Sequence, residues 1–161
     1  MSEPLVVIGN GMAAARFADE LSKRALGRHA LAVVGEEPRL AYNRVLLSSL
    51  LANEVQASEL ELKPQRWWRD RGITLRYGCR ATAIDAQTRN VSLADGTSLP
   101  FSKLVFATGS QPIRPAIPGM DLPGVITFRD IGDIWTIWHR AGSGDRVVVI
   151  GGGLLGLEAA Y

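Results

Sequence analysis

The chain has 161 residues, of which 47% are hydrophobic and 21% charged, and its formal net charge is +2. This is an ordinary globular composition, and the nearly balanced charges give no reason to expect a nucleic-acid-binding surface. No apolar run reaches the ~18 residues of a membrane span, no secretion signal is apparent at the start, and the single cysteine, Cys79, excludes an intrachain disulfide; we therefore expect a cytoplasmic protein without a nucleic-acid or membrane partner.

The chain opens with a strand, a helix and a second strand. Residues 5–8 form a short apolar, β-branched run, residues 12–26 carry apolar side chains at helical spacing, and residues 30–34 form another apolar run. This order predicts a βαβ unit with a parallel sheet and a right-handed crossover.

The middle of the chain predicts two helices and then a change to short strands. Helices are expected at 44–51 and 63–71, and strands at 82–85, 90–93, 98–101 and 104–107. The Asp95-Gly96 pair is a strong hairpin signal. We therefore expect a three-stranded antiparallel meander, followed by a buried strand.

The last third of the chain repeats the opening. Residues 110–124 contain Pro112, Pro115, Pro118 and Pro123 and predict a linker. A helix at 130–140, a turn at 142–145, a strand at 146–150 and a glycine-rich turn follow. Since that turn starts a helix close to the end of the sequence, we expect the 161 residues to belong to a longer protein, with domains 1–109 and 125–161.

The first strand–helix turn reads Gly9-Asn10-Gly11-Met12-Ala13-Ala14, a GxGxxA motif. Gly9 allows a tight turn, Gly11 allows the backbone to approach a pyrophosphate, and Ala14 allows the helix to pack close to the sheet. Glu36 lies 22 positions after Ala14, where its carboxylate is suited to bind a ribose. The motif predicts dinucleotide binding; the alternative is a plain strand–helix turn with a surface glutamate.

Two further glycine-containing turns strengthen this prediction. The strand at 104–107 ends in Ala107-Thr108-Gly109, where small residues allow close backbone contact with a cofactor. The strand at 146–150 is followed by Gly151, Gly153 and Gly156 in a GxGxxG pattern, which predicts a second dinucleotide site. The alternative for the second pattern is again a closely packed turn.

Two dinucleotide motifs with a meander between them resemble the FAD- and NAD(P)-dependent pyridine nucleotide oxidoreductases over the whole chain. The resemblance implies an α/β fold: a Rossmann-like FAD-binding domain at 1–109 with a three-stranded meander, a crossing at 110–124, and the start of an NAD(P)-binding Rossmann unit at 125–161. The first motif would bind the ADP half of FAD, Ala107-Thr108-Gly109 would return to the flavin, and the second motif would bind the nicotinamide nucleotide.

The segment after the second strand narrows the resemblance. Residues 41–49 contain no cysteine, whereas disulfide reductases of this superfamily carry a redox cysteine there. The pattern Glu36-Glu37-Pro38, then Tyr42-x-Arg44-Val45-Leu46-Leu47-Ser48-Ser49, resembles the ferredoxin and rubredoxin reductase branch, and in particular the NAD(P)H nitrite reductase large subunit of nitrate assimilation. Val45-Leu46 replaces a Pro-Pro pair of that branch, and Ser49 replaces its lysine.

The resemblance also implies roles for single residues. Arg44 would pair with the FAD pyrophosphate, the Ala81 backbone would meet the adenine, and Glu36 and Glu37 form the acid pair next to the cofactor. Glu158 would lie where flavin and nicotinamide meet, although the usual Lys–Glu pair is impossible with Ser49. The alternatives are a surface arginine, an ordinary strand alanine and a plain helical glutamate.

These residues imply an oxidoreductase that passes electrons from NAD(P)H through FAD to an iron–sulfur or haem-type acceptor in the same chain or a separate protein. No catalytic acid or base and no metal ligand is predicted, because the cofactor carries the redox chemistry. A rubredoxin or ferredoxin reductase, and a nucleotide-binding module without turnover, remain as alternatives. For these 161 residues in isolation we expect no turnover.

Overall fold

A computed structural model describes residues 2–25, 27–141 and 146–160. The strands are β1 (Glu3–Ile8), β2 (His29–Gly35), β3 (Thr74–Tyr77), β4 (Ala81–Asp85), β5 (Asn90–Leu93), β6 (Ser98–Pro100) and β7 (Lys103–Phe106). The α-helices are α1 (Met12–Arg24), α2 (Leu47–Leu51), α3 (Gln65–Asp70), α4 (Ile131–Ala141) and α5 (Leu154–Ala160), and short 3-10 helices lie at Arg44–Leu46 and Ala57–Leu60.

Contacts between residues divide the chain into two compact units. The first contains Met1–Tyr42 and Glu61–Gly109, and the second contains Asn43–Leu60 and Ser110–Tyr161. All seven strands of the described residues lie in the first unit. They form a parallel sheet in the order β3-β2-β1-β7 and an antiparallel sheet in the order β4-β5-β6.

The first unit has three layers, because both faces of β1 are apolar and both are covered. On one face, Val7 packs with the small residues Ala14 and Ala18 of α1 and with Trp68 of α3. On the other face, Val6 and its neighbours pack against the meander. Alanines at the helix surface let α1 approach the sheet closely. The predicted α/β fold with a parallel sheet and a separate meander is thereby confirmed.

The regular structure among the described residues of the second unit consists of helices. Trp138 of α4 donates its indole N–H to the Leu51 carbonyl at the end of α2, at 3.0 Å. At the start of α4, the Asp130 side chain accepts from the Asp133 N–H at 2.9 Å, and the Asp133 side chain accepts from the Asp130 N–H at 3.3 Å. This reciprocal pair is a capping box that fixes where α4 begins.

Three sequence predictions differ from the structure. The helix expected at 44–51 is a 3-10 turn followed by the five-residue α2. Strand β3 was not predicted, because at this sheet edge only Leu75 of its four residues is aliphatic. The strand expected at 146–150 is not formed: no described residue pairs with this segment, and a strand needs a hydrogen-bonded neighbour. The helix end expected at residue 26 and the turn at 142–145 lie outside the described residues.

Candidate functional site

The carboxyl ends of β1, β2 and β7 lie at one edge of the parallel sheet of the first unit. Ile8 of β1 pairs with Val34 of β2 on one side and with Phe106 of β7 on the other. The chain continues from β1 through α1 to β2, whereas β7 joins much later from the opposite side. Ligands of open parallel sheets bind at such a switch point, outside the carboxyl ends of the strands.

Gly9 begins the turn at this edge. Its N–H donates to the Val34 carbonyl at 2.7 Å, and its φ of +113° lies in the region that favours glycine. A side chain here would overlap the Ala107 carbonyl at the end of β7. Gly9 therefore has a structural requirement that does not depend on any ligand.

Gly11, the N-cap of the 13-residue α1, is different. A Cβ at this position would meet no protein atom within 4 Å, and its φ of −103° is open to any residue. No side chain caps α1, and its first turn contains no acidic residue. The amide groups of the first turn and the helix dipole are thus available to an anion, with open space above Gly11. This cradle fits a phosphate group.

Some of the other residues of the glycine turns are exposed to solvent, and one is buried in the core. Met12 and Ala13 are exposed, whereas Ala14 is completely buried against the sheet. Thr108 and Gly109 follow β7 and are exposed, with Gly109 at a φ of +73°. The strand end beside Gly9 is therefore built from small residues, as the sequence predicted.

The two glutamates after β2 have different surroundings. The Glu36 side chain is two-thirds exposed, and its Oε1 lies 3.9 Å from Nη1 of Arg80. The Glu37 carboxylate instead accepts a hydrogen bond of 2.7 Å from the hydroxyl of Tyr42, which is buried. Glu36 is therefore free to face a ligand, whereas Glu37 has an evident role in fixing its own loop.

Ala81 is brought to the same region by backbone hydrogen bonds. The Gly78 N–H donates to the Glu37 carbonyl at 2.8 Å, and the Cys79 N–H donates to the Gly35 carbonyl at 2.9 Å. These bonds attach the segment before β4 to the loop after β2. Cys79 is a free, partly buried thiol that packs against the apolar cluster between the sheets.

Asn10, for which the sequence predicts no role, lies in the same turn as Gly9 and Gly11. Its Nδ2 donates to the Arg39 carbonyl at 3.0 Å, and its Oδ1 is buried without a partner among the described residues. Variable positions of a GxGxxA motif carry no signal of their own, so only the structure identifies this residue.

The second glycine motif lies in the second unit. Gly151 has a φ of +135°, and a side chain at Gly156 would overlap the Gly151 carbonyl. Positions 152 and 153 have open space around them. The Leu157 N–H donates to the Gly153 carbonyl at 3.1 Å, which begins the helical hydrogen bonding of α5. The turn thus has the same division as the first one, between a glycine required by packing and a glycine beside open space.

Arg44 and Glu158 also belong to the second unit. The Arg44 guanidinium donates to the Arg129 carbonyl at 3.1 Å, and Asn43 caps the turn that carries Arg44 through a 3.1 Å bond to the Val45 N–H. The Glu158 carboxylate accepts a hydrogen bond from the hydroxyl of Ser48. The sequence predicted that Ser49 leaves Glu158 without its usual lysine; the neighbouring serine is the residue that contacts it.

No group of three or more His, Cys, Asp or Glu side chains in the described part of the chain is arranged to hold a metal ion. Of the helices that the structure describes, none has the length and apolar character needed to cross a bilayer.

Comparison with known proteins identifies many relatives. The family model described as pyridine nucleotide-disulphide oxidoreductase matches residues 3–161. The assimilatory nitrate reductase electron transfer subunit of Bacillus subtilis (strain 168) is 42% identical over 158 residues, covering 97% of this chain and 20% of that protein. The nitrite reductase (NADH) large subunit of Escherichia coli (strain K12) is 40% identical over 157 residues, covering 97% of this chain and 18% of that protein.

A solved structure gives the same result for the fold. The crystal structure of NADH:rubredoxin oxidoreductase from Clostridium acetobutylicum superimposes with a TM-score of 0.84 at 26% identity, covering 99% of this chain and 41% of that one. The chain spans about a fifth of the length of the two curated relatives.

Proposed function

Because the chain belongs to the pyridine nucleotide-disulphide oxidoreductase family, we propose that it forms the flavin region of an FAD-dependent NAD(P)H oxidoreductase similar to the nitrite reductase large subunit. Membership of the family implies FAD and NAD(P)H as cofactors, in agreement with the sequence prediction. The turn with Gly9 and Gly11, together with Glu36, would hold FAD, which would supply the chemistry that couples two-electron oxidation of NAD(P)H to one-electron transfer to a metal-centre acceptor.

The observation that carries the proposal is the open cradle at Gly11. Exposed first-turn amides, the positive end of the 13-residue α1 and the lack of an acid in its first turn suit a pyrophosphate. On the ribose side, the exposed carboxylate of Glu36 would accept hydrogen bonds from hydroxyl groups. Thr108 and Gly109 are small and exposed at the end of β7, where they would leave room for an extended cofactor.

In the second unit, the turn at Gly151–Gly156 would bind the nicotinamide nucleotide, with its pyrophosphate above Gly153. Arg44 would pair with the FAD pyrophosphate, since a planar guanidinium suits phosphate oxygens. We propose that the Ala81 backbone meets the adenine and that Ser48 holds Glu158 on the nicotinamide side. The reducing cytoplasm, where a free thiol such as Cys79 persists, is the compartment that this function suggests.

The electron acceptor has two candidates. High identity to nitrate and nitrite reductase subunits favours an acceptor centre within the same enzyme system. Similarity to a rubredoxin reductase structure favours a small, separate iron–sulfur protein. We propose the nitrite reductase type of acceptor first, because the two curated relatives of 40–42% identity are subunits of nitrate and nitrite reductases.

The test begins with the absorbance spectrum of the purified protein and identification of any flavin released on denaturation. Bound FAD, or uptake of added FAD, supports the proposal; a protein that takes up no FAD contradicts it. Anaerobic mixing with NADH and with NADPH then measures bleaching of the flavin absorbance. Reoxidation by nitrite in the full enzyme, against reoxidation by a rubredoxin or a ferredoxin, separates the two acceptors.

A further inference from the structure

Asn10 connects the first glycine turn to the loop after β2. Its Nδ2 donates to the Arg39 carbonyl at 3.0 Å. Its Cβ also lies so close to Gly35 that any side chain at Gly35 would overlap it. These two contacts fix the distance between the turn that carries Gly11 and the segment that carries Glu36.

The second polar atom of the same carboxamide has no partner. Asn10 Oδ1 is buried and accepts no hydrogen bond from the residues that the structure describes. The opposite orientation of the amide would place its oxygen against the Arg39 carbonyl, so that two acceptors would face each other. The orphaned atom is therefore the oxygen, and native proteins leave few buried acceptors without a donor from protein, water or ligand.

We infer that Asn10 is a positioning residue for the adenosine half of the bound dinucleotide. Its Nδ2 holds the segment from Glu36 to Arg39 beside the phosphate cradle. Its Oδ1 is covered by protein in this structure, so nucleotide binding has to shift that cover before the oxygen accepts a hydrogen bond. The donor is either a ribose hydroxyl of the nucleotide or a water molecule bound with the nucleotide. The inference rests on the proposed function, because it needs a nucleotide at this edge of the sheet.

Asparagine is the residue type that this position requires. Aspartate has nearly the same shape but no hydrogen to donate to the Arg39 carbonyl, and it adds a negative charge beside a site for phosphate. Alanine removes both polar contacts and keeps the backbone unrestricted. The two substitutions therefore separate the loss of hydrogen bonds from the addition of charge.

The experiment measures ADP and FAD binding by calorimetry for the wild-type protein, Asn10→Ala and Asn10→Asp. We expect Asn10→Ala to weaken ADP binding about tenfold, the value of one or two hydrogen bonds, and Asn10→Asp to weaken it further. Asn90→Ala is the matched control: its Nδ2 donates to the Thr88 carbonyl, also at 3.0 Å, but within the meander. Its ADP affinity should equal that of the wild type.

Two readouts distinguish positioning from a general structural role. Loss of Asn10 and loss of Glu36 should cost less together than the sum of the single losses, because both act on the same segment; a merely structural role predicts additive losses. In the wild-type protein, ADP should also shift the NMR signals of the Asn10 carboxamide, a measurement that does not depend on how well any variant folds. Comparison with 2′-deoxy-ADP and 3′-deoxy-ADP assigns the donor: loss of the shift indicates a ribose hydroxyl, and its persistence indicates water.

The outcomes are separable from those of the proposed function. If the wild-type protein binds neither ADP nor FAD, the proposed function fails, and this inference fails with it. If the wild-type protein binds both, while Asn10→Ala binds equally well and ADP leaves the carboxamide signals unchanged, the proposed function stands and the role of Asn10 is refuted.

Discussion

Ser48 of α2 donates its hydroxyl hydrogen to the carboxylate of Glu158 in α5, across 110 positions of sequence. The bond joins two helices of the second unit, neither longer than seven residues. Isolated helices of that length are unstable in water and depend on contacts such as this one. The position next to it, Ser49, is the one where the resemblance places a lysine. A neutral hydroxyl thus contacts the glutamate in place of a cation.

Ser48→Ala tests this contact. The substitution leaves a partly buried carboxylate without its donor, so we expect a loss of about 1–3 kcal/mol in unfolding free energy. Ser49→Ala is the control, because it removes a hydroxyl group at the neighbouring position and leaves the Ser48–Glu158 bond in place. Urea unfolding followed by tryptophan fluorescence measures both. Equal stability of the two variants would contradict a stabilising role for the Ser48–Glu158 bond.

Gly9→Ala is expected to damage folding. Its methyl group would overlap the Ala107 carbonyl, and a φ of +113° is strained for alanine. Positive-φ strain and overlap with backbone together predict a loss of about 3 kcal/mol or more. Thermal unfolding of the protein without added nucleotide measures the loss. If the variant were as stable as the wild type, the close contact between Gly9 and the Ala107 carbonyl would be contradicted.

Gly11→Ala is expected to leave folding intact and to weaken nucleotide binding. Nothing lies within 4 Å of its methyl group and its φ is ordinary, so stability should stay within about 0.5 kcal/mol of the wild type. The methyl group would, however, occupy the space proposed for the pyrophosphate. We expect FAD and ADP affinity to fall about tenfold or more, the equivalent of 1.4 kcal/mol, as measured by calorimetry. Unchanged affinity would contradict the proposal that the pyrophosphate binds above Gly11.

The contrast between Gly9 and Gly11 shows what the sequence reveals and what it does not. Both glycines follow from the motif, and the order of strand, helix and strand predicts where the turn lies. Gly9 is required by packing and Gly11 is not, because β7 lies close to Gly9 and leaves space around Gly11. No local sequence pattern encodes the distance between β7 and the turn. The binding role of these residues stays a prediction, whereas their places at the end of β1 and the start of α1 are as expected.

Contacts between distant segments are the part that sequence reasoning missed. Asn10 and Arg39 are 29 positions apart, and Ser48 and Glu158 are 110 apart. Strand β3 was not predicted for a related reason. An edge strand buries few side chains, so its sequence needs no apolar run. The opposite error occurred at residues 146–150, where an apolar run predicted a strand but no described residue pairs with it.

Gly156→Ala extends the same reasoning to the second unit. The added methyl would overlap the Gly151 carbonyl in the tight turn before α5, so we expect a loss of about 1–3 kcal/mol in unfolding free energy. Gly153→Ala, whose methyl would meet open space, should retain stability and lose affinity for NADH and NADPH. Urea unfolding and nucleotide titration measure the two effects. A stable Gly156→Ala variant would contradict the close packing of this turn.

Asp19 predicts how stability depends on pH. Its carboxylate accepts hydrogen bonds from Lys23 at 2.7 Å and Lys63 at 3.1 Å, and these bonds lower the pKa of Asp19 from 3.8 to about 2. Because the folded-state pKa is depressed, folding is stabilised by the ionised form. That contribution is complete above the unfolded pKa near 3.8 and is lost as the pH falls from there towards 2.

Asp19→Asn should therefore lower stability at neutral pH and flatten the decline of unfolding free energy below pH 4. Asp121→Asn, at an exposed position of the second unit, is the control and should retain the wild-type decline. Unfolding free energies from urea titrations between pH 2 and 7 supply the comparison. A wild-type slope below pH 4 that persists unchanged in Asp19→Asn would mean that other carboxylates, and not the one between Lys23 and Lys63, control acid stability.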